Sequence, residues 1–349
     1  MSSLKDCVEK LDCADEAERT YAAEDIGYLN SPDGVPVLLE RLGKEPSRTV
    51  RDAIFQALIR IDGEAPIQAA IRLLESDDPQ IRNQAVDALR HKGDPSLPFL
   101  NTVMRDGDKD LRKLVLDVLS GVHTGGADSI YEAALADPDP NVVITAVENL
   151  GKMRAAGFRN RIEDLLQAGA HPMLVAACVE ALVGIGSASS LVAVRRCFPD
   201  LATLPDFFLA SCLKAIAALG SSSEFSEVAS LLTVRGAHLR PAILGAMIAI
   251  RPRCPSPAPI ENLLSTLRAV VEGEDPPLCR YQAVRVLGLW ATRDDIYAFL
   301  ASRLCDTERL VRLGAAETLR VAERPGWGTL LATRALAESD EEVLQALSC

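Results

Sequence analysis

The sequence predicts an all-α fold in which about eleven similar helical pairs stack into a right-handed α-α superhelix. Three observations support this: one register position recurs about every 32 residues, an apolar pattern with a helical period surrounds it, and a polar turn precedes most copies. The register residues are Arg19, Arg51, Arg82, Arg112, Val143, Val175, Leu209, Arg240, Arg280, Arg312 and Leu344. Because a single unit cannot bury its apolar face alone, neighbouring copies must stack.

The second helix of each pair is predicted from apolar columns around the register position. Positions −1, +3, +7 and +10 are apolar in nearly every copy, and these steps of four, four and three residues follow one face of an α-helix. In the third copy the columns hold Ile81, Ala85 and Leu89, whereas Lys92 breaks the +10 column.

The turns and the first helix of each pair are predicted from the residues upstream. Segments such as Ser76–Pro79 and Asp137–Pro140 supply side chains that cap free backbone N–H groups, and a proline that needs no donor in the first helical turn. An apolar segment such as Ile67–Leu74 precedes the turn and predicts the first helix. Gly93 and Gly186 follow second helices as stop signals.

These residues resemble a known repeat. The segment Asp78–Leu89 resembles a HEAT repeat, and it is similar in particular to the short HEAT-like units of phycobilisome lyases; Asp139–Gly151 and Arg309–Leu319 are further good copies. The resemblance extends over residues 1–349 and implies an α-solenoid of the armadillo-like kind. It does not identify a function, because the matching residues are those that hold the stack together.

The spacing also predicts the organisation of the chain. We expect HEAT-like repeats one to eight in residues 1–250, a proline-rich connection at 251–259 where the spacing rises to 40 residues, and repeats nine to eleven in 260–349. The last copy stops partway through its second helix. We therefore expect either that the native chain continues or that another molecule caps this end, which would allow a homo-oligomer.

Composition narrows the class of partner. The net charge of −12 and the pI near 5.0 argue against nucleic acid as the main ligand, because phosphate contacts need clustered basic residues. No apolar run reaches membrane-spanning length, and the first residues form no secretory signal. Cysteines at core positions such as Cys178 and Cys212 suggest a reducing compartment, so we expect a cytoplasmic protein that does not act on a membrane.

The sequence favours a non-catalytic protein without a cofactor or metal. The four histidines, His91, His123, His171 and His238, fall in separate copies at differing offsets, and no pair has metal-ligand spacing. No glycine-rich phosphate loop is present, and Cys7 and Cys13 are too far apart for a CxxC motif.

The repeated arginine has two interpretations. It could form a basic ladder for anions, or it could pair with turn carboxylates that lie upstream of it. Those carboxylates are Asp77, Asp78, Asp106, Asp108 and Asp306. We favour the structural pairing, because such groups are seldom left buried without a partner.

Two sets of residues are candidates for partner binding. The acidic stripe lies five residues past the register and comprises Glu24, Asp87, Asp117, Glu148, Glu180 and Glu317. The central apolar patch comprises Ala176, Val183, Ala210, Ala217, Pro241 and Ile248. The stripe would attract a basic segment, or it is simply a solvated helix face. The patch would bind apolar groups, or a tighter superhelix buries it.

The sequence thus favours a scaffold or adaptor that holds another protein in the concave groove of the solenoid, through a basic or amphipathic segment of that partner. The alternative, implied by the resemblance, is a bilin lyase-like or tetrapyrrole-handling protein that acts on a phycobiliprotein. No residue here can be assigned a lyase role.

Overall fold

The computed structural model describes residues 3–121, 125–169, 171–250, 261–322, 324 and 326–348. Throughout these residues the chain forms α-helices joined by turns and short 3₁₀ segments, and they contain no β-strand. The predicted all-α fold of stacked helical pairs is therefore confirmed. The helices fall into two compact units, Met1–Met153 and Arg154–Cys349. The predicted proline-rich connection at 251–259 lies outside the described residues.

Unit 1 contains five helical pairs. Its helices are α1 Leu4–Leu11, α2 Glu16–Leu29, α3 Gly34–Leu42, α4 Arg48–Arg60, α5 Glu64–Leu73, α6 Pro79–Lys92, α7 Leu97–Asp106, α8 Lys109–Leu119, α9 Asp128–Leu135 and α10 Pro140–Lys152. The even-numbered second helices pack in chain order, α2 on α4, α4 on α6, α6 on α8 and α8 on α10. The first helices pack on one another in the same order, so the unit has two helical layers.

Unit 2 contains six pairs. Its helices are α11 Arg159–Ala168, α12 Pro172–Ile185, α13 Ala188–Cys197, α14 Asp206–Leu219, α15 Ser222–Val234, α16 Arg240–Ile250, α17 Glu261–Glu272, α18 Pro277–Leu287, α19 Asp294–Arg303, α20 Arg309–Ala322, α21 Trp327–Ala335 and α22 Glu341–Ser348. The second helices again pack in chain order from α12 to α22.

The core of each unit follows the apolar columns. Every residue of the +3 and +7 columns is buried, including Ala85 and Leu89 in α6 and Leu319 in α20. The +3 residues are mostly small, which lets neighbouring second helices approach closely. One such close approach is at Gly27, where a Cβ would lie 2.8 Å from the Cα of Ala57. The −1 column is less uniform, since Leu111 is only half-buried.

The predicted start signals are confirmed at α6 and α10. The carboxylate of Asp78 accepts a hydrogen bond from the backbone N–H of Gln80 at 2.8 Å, and Asp139 does the same with Asn141 at 2.8 Å. A proline occupies the first turn of both helices. These caps satisfy N–H groups that the helix itself leaves free.

A ladder of ion pairs crosses between repeats. Six register arginines contact a carboxylate that belongs to the turn of the following repeat. The pairs are Arg19–Glu45 at 3.0 Å, Arg51–Asp78 at 3.2 Å, Arg112–Asp137 at 2.6 Å, Arg240–Asp275 at 2.7 Å, Arg280–Asp306 at 3.0 Å and Arg312–Glu338 at 2.9 Å. The structural interpretation of the repeated arginine is therefore confirmed, and we call this set the arginine ladder.

The expected source of the carboxylates was wrong. The acids upstream of each arginine do not pair with it; its own turn supplies backbone carbonyl groups instead, as in the bonds from Arg112 to Gly107 at 2.8 Å and from Arg312 to Asp306 at 3.1 Å. Asp78 and Asp306 accept backbone N–H bonds within their own turns and pair with the arginine of the preceding repeat instead. Each guanidinium therefore joins the turn of its own repeat to that of the next.

Lys92, the break in the +10 column, also has a structural role. Its Nζ donates to the carbonyl groups of Ile59 (2.8 Å) and Ile61 at the end of α4. These carbonyls have no partner within their own helix, so the ammonium group caps the preceding repeat. Desolvation lowers the pKa of Lys92.

Candidate functional site

The acidic stripe of unit 1 lies on the exposed side of successive second helices. Asp87 on α6, Asp117 on α8 and Glu148 on α10 are exposed, while Glu24 on α2 is half-buried. Because these second helices pack on one another in chain order, the carboxylates occupy equivalent positions on neighbouring helices. We call the exposed sides of α6, α8 and α10 around these residues the second-helix face.

Cations of the same helices approach part of this stripe. Arg90 contacts the carboxylate of Asp87 at 2.9 Å and donates to the backbone carbonyl of Asp117 at 2.7 Å, which ties α6 to α8. Lys152 lies 4.0 Å from Glu148. The side chain of Asp117 forms no ion pair within the part of the chain that the structure describes.

A groove of about 810 Å³ opens beside Asp117. It runs from the turn before α6 across the turn before α8 to α10. The lining residues are Leu74, Glu75, Ser76, Asp77, Arg82, Asp108, Asp110, Leu111, Lys113, Leu114, Asp117 and Thr145. Five of them are acidic and two are basic, and Lys113 is paired with Asp110 at 2.9 Å. The groove thus presents half-buried leucines with an excess of negative charge around them.

The surroundings of Asp117 stabilise its charged carboxylate less than bulk water would. Desolvation raises the pKa of Asp117, and the positive charges of Arg90, Lys113 and Lys152 oppose that rise without cancelling it. A cation delivered by a partner would stabilise the charged form, because an opposite charge at close range compensates for lost hydration.

The stripe residues of unit 2 are more fully engaged. Glu180 accepts from Lys214 at 2.8 Å and from the hydroxyl of Ser211 at 3.1 Å. Glu317 accepts from the hydroxyl of Tyr281 at 2.9 Å and contacts Arg285. These bonds give both carboxylates roles in joining neighbouring second helices.

The residues of the central apolar patch are covered to different degrees. Ala176 is only 5% exposed, so it adds little surface. The other members are half-buried; they are Val183 on α12, Ala210 and Ala217 on α14, and Pro241 and Ile248 on α16. None of the large apolar side chains most exposed in the described residues belongs to the patch.

Two aromatic residues escaped the sequence reasoning. Tyr21 and Tyr28 on α2 are 63% and 69% exposed, and they flank Glu24 at helical spacing. The guanidinium of Arg60 lies 4.1 Å from the centre of the Tyr28 ring. Both tyrosines fall outside the four apolar columns. The only signal in the sequence that could have identified them was an aromatic residue at positions two and nine past the register, which do not face the core.

Other kinds of site are not seen in the described residues. They include no group of three or more His, Cys, Asp or Glu side chains that could hold a metal ion. No helix among them is long and apolar enough to cross a membrane.

Comparison with known proteins agrees with the repeat. Residues 4–90 match the family model of HEAT repeats. Residues 4–90 therefore contain HEAT repeats. A stretch of 71 residues is also 34% identical to the bilin biosynthesis protein PecE of Mastigocladus laminosus, covering 20% of this chain and 26% of PecE.

Solved structures extend the likeness to the rest of the fold. The chain is similar to Kap95p, whose binding induces the switch loops of RanGDP to adopt the GTP-bound conformation. The TM-score is 0.65 at 13% identity, and the match covers 99% of this chain and 56% of Kap95p. It is similar to the karyopherin Kap121p bound to the extreme C-terminus of the phosphatase Cdc14p, with a TM-score of 0.53, 13% identity, and coverage of 99% and 45%. At this identity the likeness shows the fold alone. The chain spans about a quarter of PecE and about half of the karyopherins.

Proposed function

We propose that this HEAT-repeat protein is a non-catalytic scaffold that binds a basic, amphipathic segment of another protein along the second-helix face of unit 1. The observation that carries the proposal is the groove beside Asp117, where an exposed but partly desolvated carboxylate without an ion pair in the described residues adjoins half-buried leucines. A lysine or arginine side chain would pair with the carboxylate, and apolar side chains of the same segment would contact Leu111 and Leu114.

Charge complementarity supports this kind of partner. Four acidic residues of the groove remain once the pair between Lys113 and Asp110 is set aside, and Arg82 is the only other cation among the lining residues. An acidic surface raises the rate of encounter with a basic segment and selects against acidic ones. The karyopherins of similar fold bind other proteins, as the structures with RanGDP and with the Cdc14p C-terminus illustrate for those proteins.

The test uses a fluorescein-labelled peptide of lysine and leucine, with both ends blocked, and measures its affinity by fluorescence anisotropy. Asp117→Lys combined with Glu148→Lys should weaken binding at least about tenfold, which corresponds to about 1.4 kcal/mol. The matched control is Glu132→Lys, which reverses an exposed charge on the first helix α9, away from the second-helix face. Equal affinity of the groove variant and the control variant would contradict the proposal.

A second candidate is the handling of a tetrapyrrole, supported by the local similarity to PecE. The groove volume of about 810 Å³ also lies within the usual range for small-molecule sites. Incubation of the purified chain with bilin, followed by gel filtration, provides the test. Co-elution of visible absorbance, reduced by Leu114→Lys, supports this candidate, and a colourless protein peak contradicts it.

A further inference from the structure

One register arginine, Arg82, lies outside the arginine ladder because it has no carboxylate partner in the described residues. Arg82 is half-buried, and one of its Nη atoms donates to the carbonyl of Ser76 at 2.6 Å in the turn of its own repeat. The six other register arginines all reach a carboxylate of the following turn. The remaining N–H groups of Arg82 therefore lack the acceptor that the ladder provides elsewhere.

The length of the following turn explains the exception. A single residue, Gly107, separates the end of α7 from the helix cap Asp108. In the repeat that contains α9 and α10, three residues, 136–138, separate the end of α9 from the cap Asp139. In the repeat that contains α19 and α20, four residues, 304–307, separate the end of α19 from Glu308, the residue before α20. In those longer turns the ladder carboxylate stands two residues before the cap position, at Asp137 and Asp306.

In the short turn the equivalent carboxylate is diverted. Asp106 stands two residues before the cap Asp108, but it is still the last residue of α7. Its two carboxylate oxygens accept from Nε and Nη2 of the neighbouring Arg105 at 3.0 and 3.1 Å. A carboxylate residue at position 107 could not take the place of Asp106 without strain, because a Cβ there would lie 2.7 Å from the carbonyl oxygen of Val103.

The position beside Arg82 that lacks a carboxylate, which we call the vacancy, lies at the groove beside Asp117. Arg82 lines the same groove of about 810 Å³ as Asp117, together with Asp108 at the end of the short turn. A guanidinium with free donors binds a carboxylate in preference to other acceptors, because two parallel N–H groups match two oxygens. The nearby acids Asp77 and Asp108 disfavour a polyanion, so a single carboxylate within a basic segment fits the groove best.

We propose that Arg82 binds an acidic side chain of the partner segment, which takes the place of the missing ladder carboxylate. The proposal rests on the proposed function, since it assigns one further contact to the same basic segment. The recognised pattern is an aspartate or glutamate flanked by lysine or arginine residues: the carboxylate pairs with Arg82, and the flanking cations pair with Asp117 and the acidic rim.

The test is a double-mutant cycle between chain and peptide, read by fluorescence anisotropy. One blocked lysine–leucine peptide carries a central glutamate, and a second carries glutamine there. The glutamate peptide should bind the wild-type chain about tenfold more tightly than the glutamine peptide. This advantage should vanish with Arg82→Gln, while both peptides retain their dependence on Asp117.

The outcomes separate the two proposals. Equal binding of both peptides to the wild-type chain overturns the role of Arg82 and leaves the proposed function standing; absence of binding by either peptide overturns both. A third peptide, with glutamine at the centre and a free C-terminal carboxylate, tests the other source of this group. A gain seen only with that peptide overturns the assignment to a side chain.

The vacancy itself is tested by stability of the full chain. Arg112→Gln removes a paired ladder arginine of the next repeat and should lower Tm by at least about 3 °C, whereas Arg82→Gln should lower it far less. Equal losses would mean that Arg82 is already paired within the fold and would overturn the proposal.

Discussion

The ladder pair Arg312–Glu338 allows a stability prediction with a worked magnitude. Glu338 accepts from Nε and Nη2 of Arg312 at 2.9 and 3.0 Å, and from Arg334 at 3.3 Å. Its side chain is only 2% exposed. The hydrogen bond from Arg312 foremost, together with the backbone N–H groups of Asp340 and Ser339, lowers the pKa of Glu338 from 4.5 to about 2. We predict that Glu338→Gln destabilises the chain.

The expected loss follows from the pKa. A difference of roughly 2.5 pKa units between the unfolded and folded chains corresponds to about 3 kcal/mol at neutral pH. Glutamine can still accept one bond from Arg312, so we expect about 2–3 kcal/mol. Because the folded pKa is depressed, this stability is present above the unfolded pKa of 4.5 and is lost as the pH falls towards 2. The difference between wild type and variant should therefore be roughly halved near pH 3.

The assay is urea denaturation followed by far-UV circular dichroism across this pH range, with hydrogen exchange of α20 and α22 to detect local opening. Glu274→Gln is the matched control, since Glu274 is an exposed carboxylate of the same unit. If Glu338→Gln loses no more stability than the control at neutral pH, or if the difference does not shrink in acid, the ladder does not stabilise the stack as reasoned.

Two further predictions concern packing and thiol chemistry. Gly27→Ala should cost about 1–3 kcal/mol, because its Cβ would lie 2.8 Å from the Cα of Ala57, while Gly157→Ala, with no atom within 4 Å, should cost nothing measurable by thermal unfolding. Burial raises the pKa of Cys178 and of Cys212 to about 12, so at about pH 8 a thiol reagent should label exposed Cys305 in the native chain and these two only after denaturation. Mass spectrometry of the labelled peptides checks this, and rapid native labelling of Cys178 would contradict it.

Most of the fold could be predicted because the residues that stack the repeats are the ones that recur. The +3 and +7 columns are buried in every copy, and Trp290 lies in the core as its column indicates. The exceptions are residues whose partners belong to another repeat. Lys92 reads as a break in a column, yet it caps the end of α4, a contact that no local pattern encodes.

The candidate site was predicted less completely for a related reason. The sequence places Asp117 on an exposed helix face, but it does not reveal which carboxylates their own neighbours neutralise. Asp87 and Glu180 carry the same signature as Asp117, and both contact a cation of the chain. Desolvation and pairing depend on the relative positions of two or three helices, and periodicity within one helix contains no information about them.

The vacancy at Arg82 illustrates how a repeat protein acquires a specific site. The register arginine pairs with a carboxylate in six other copies. Arg82 lacks this partner because the following turn is short and the equivalent carboxylate, Asp106, remains within α7. The sequence contains a trace of this change: the spacing from Arg82 to Arg112 is the shortest in the chain. That spacing alone would permit a compensating shift of the helices. The structure shows that no such shift brings Asp106 to Arg82, since the Asp106 carboxylate contacts Arg105 instead. Binding specificity in this chain would then arise from a departure from the repeat, at a place where the stack can lose one contact and remain folded.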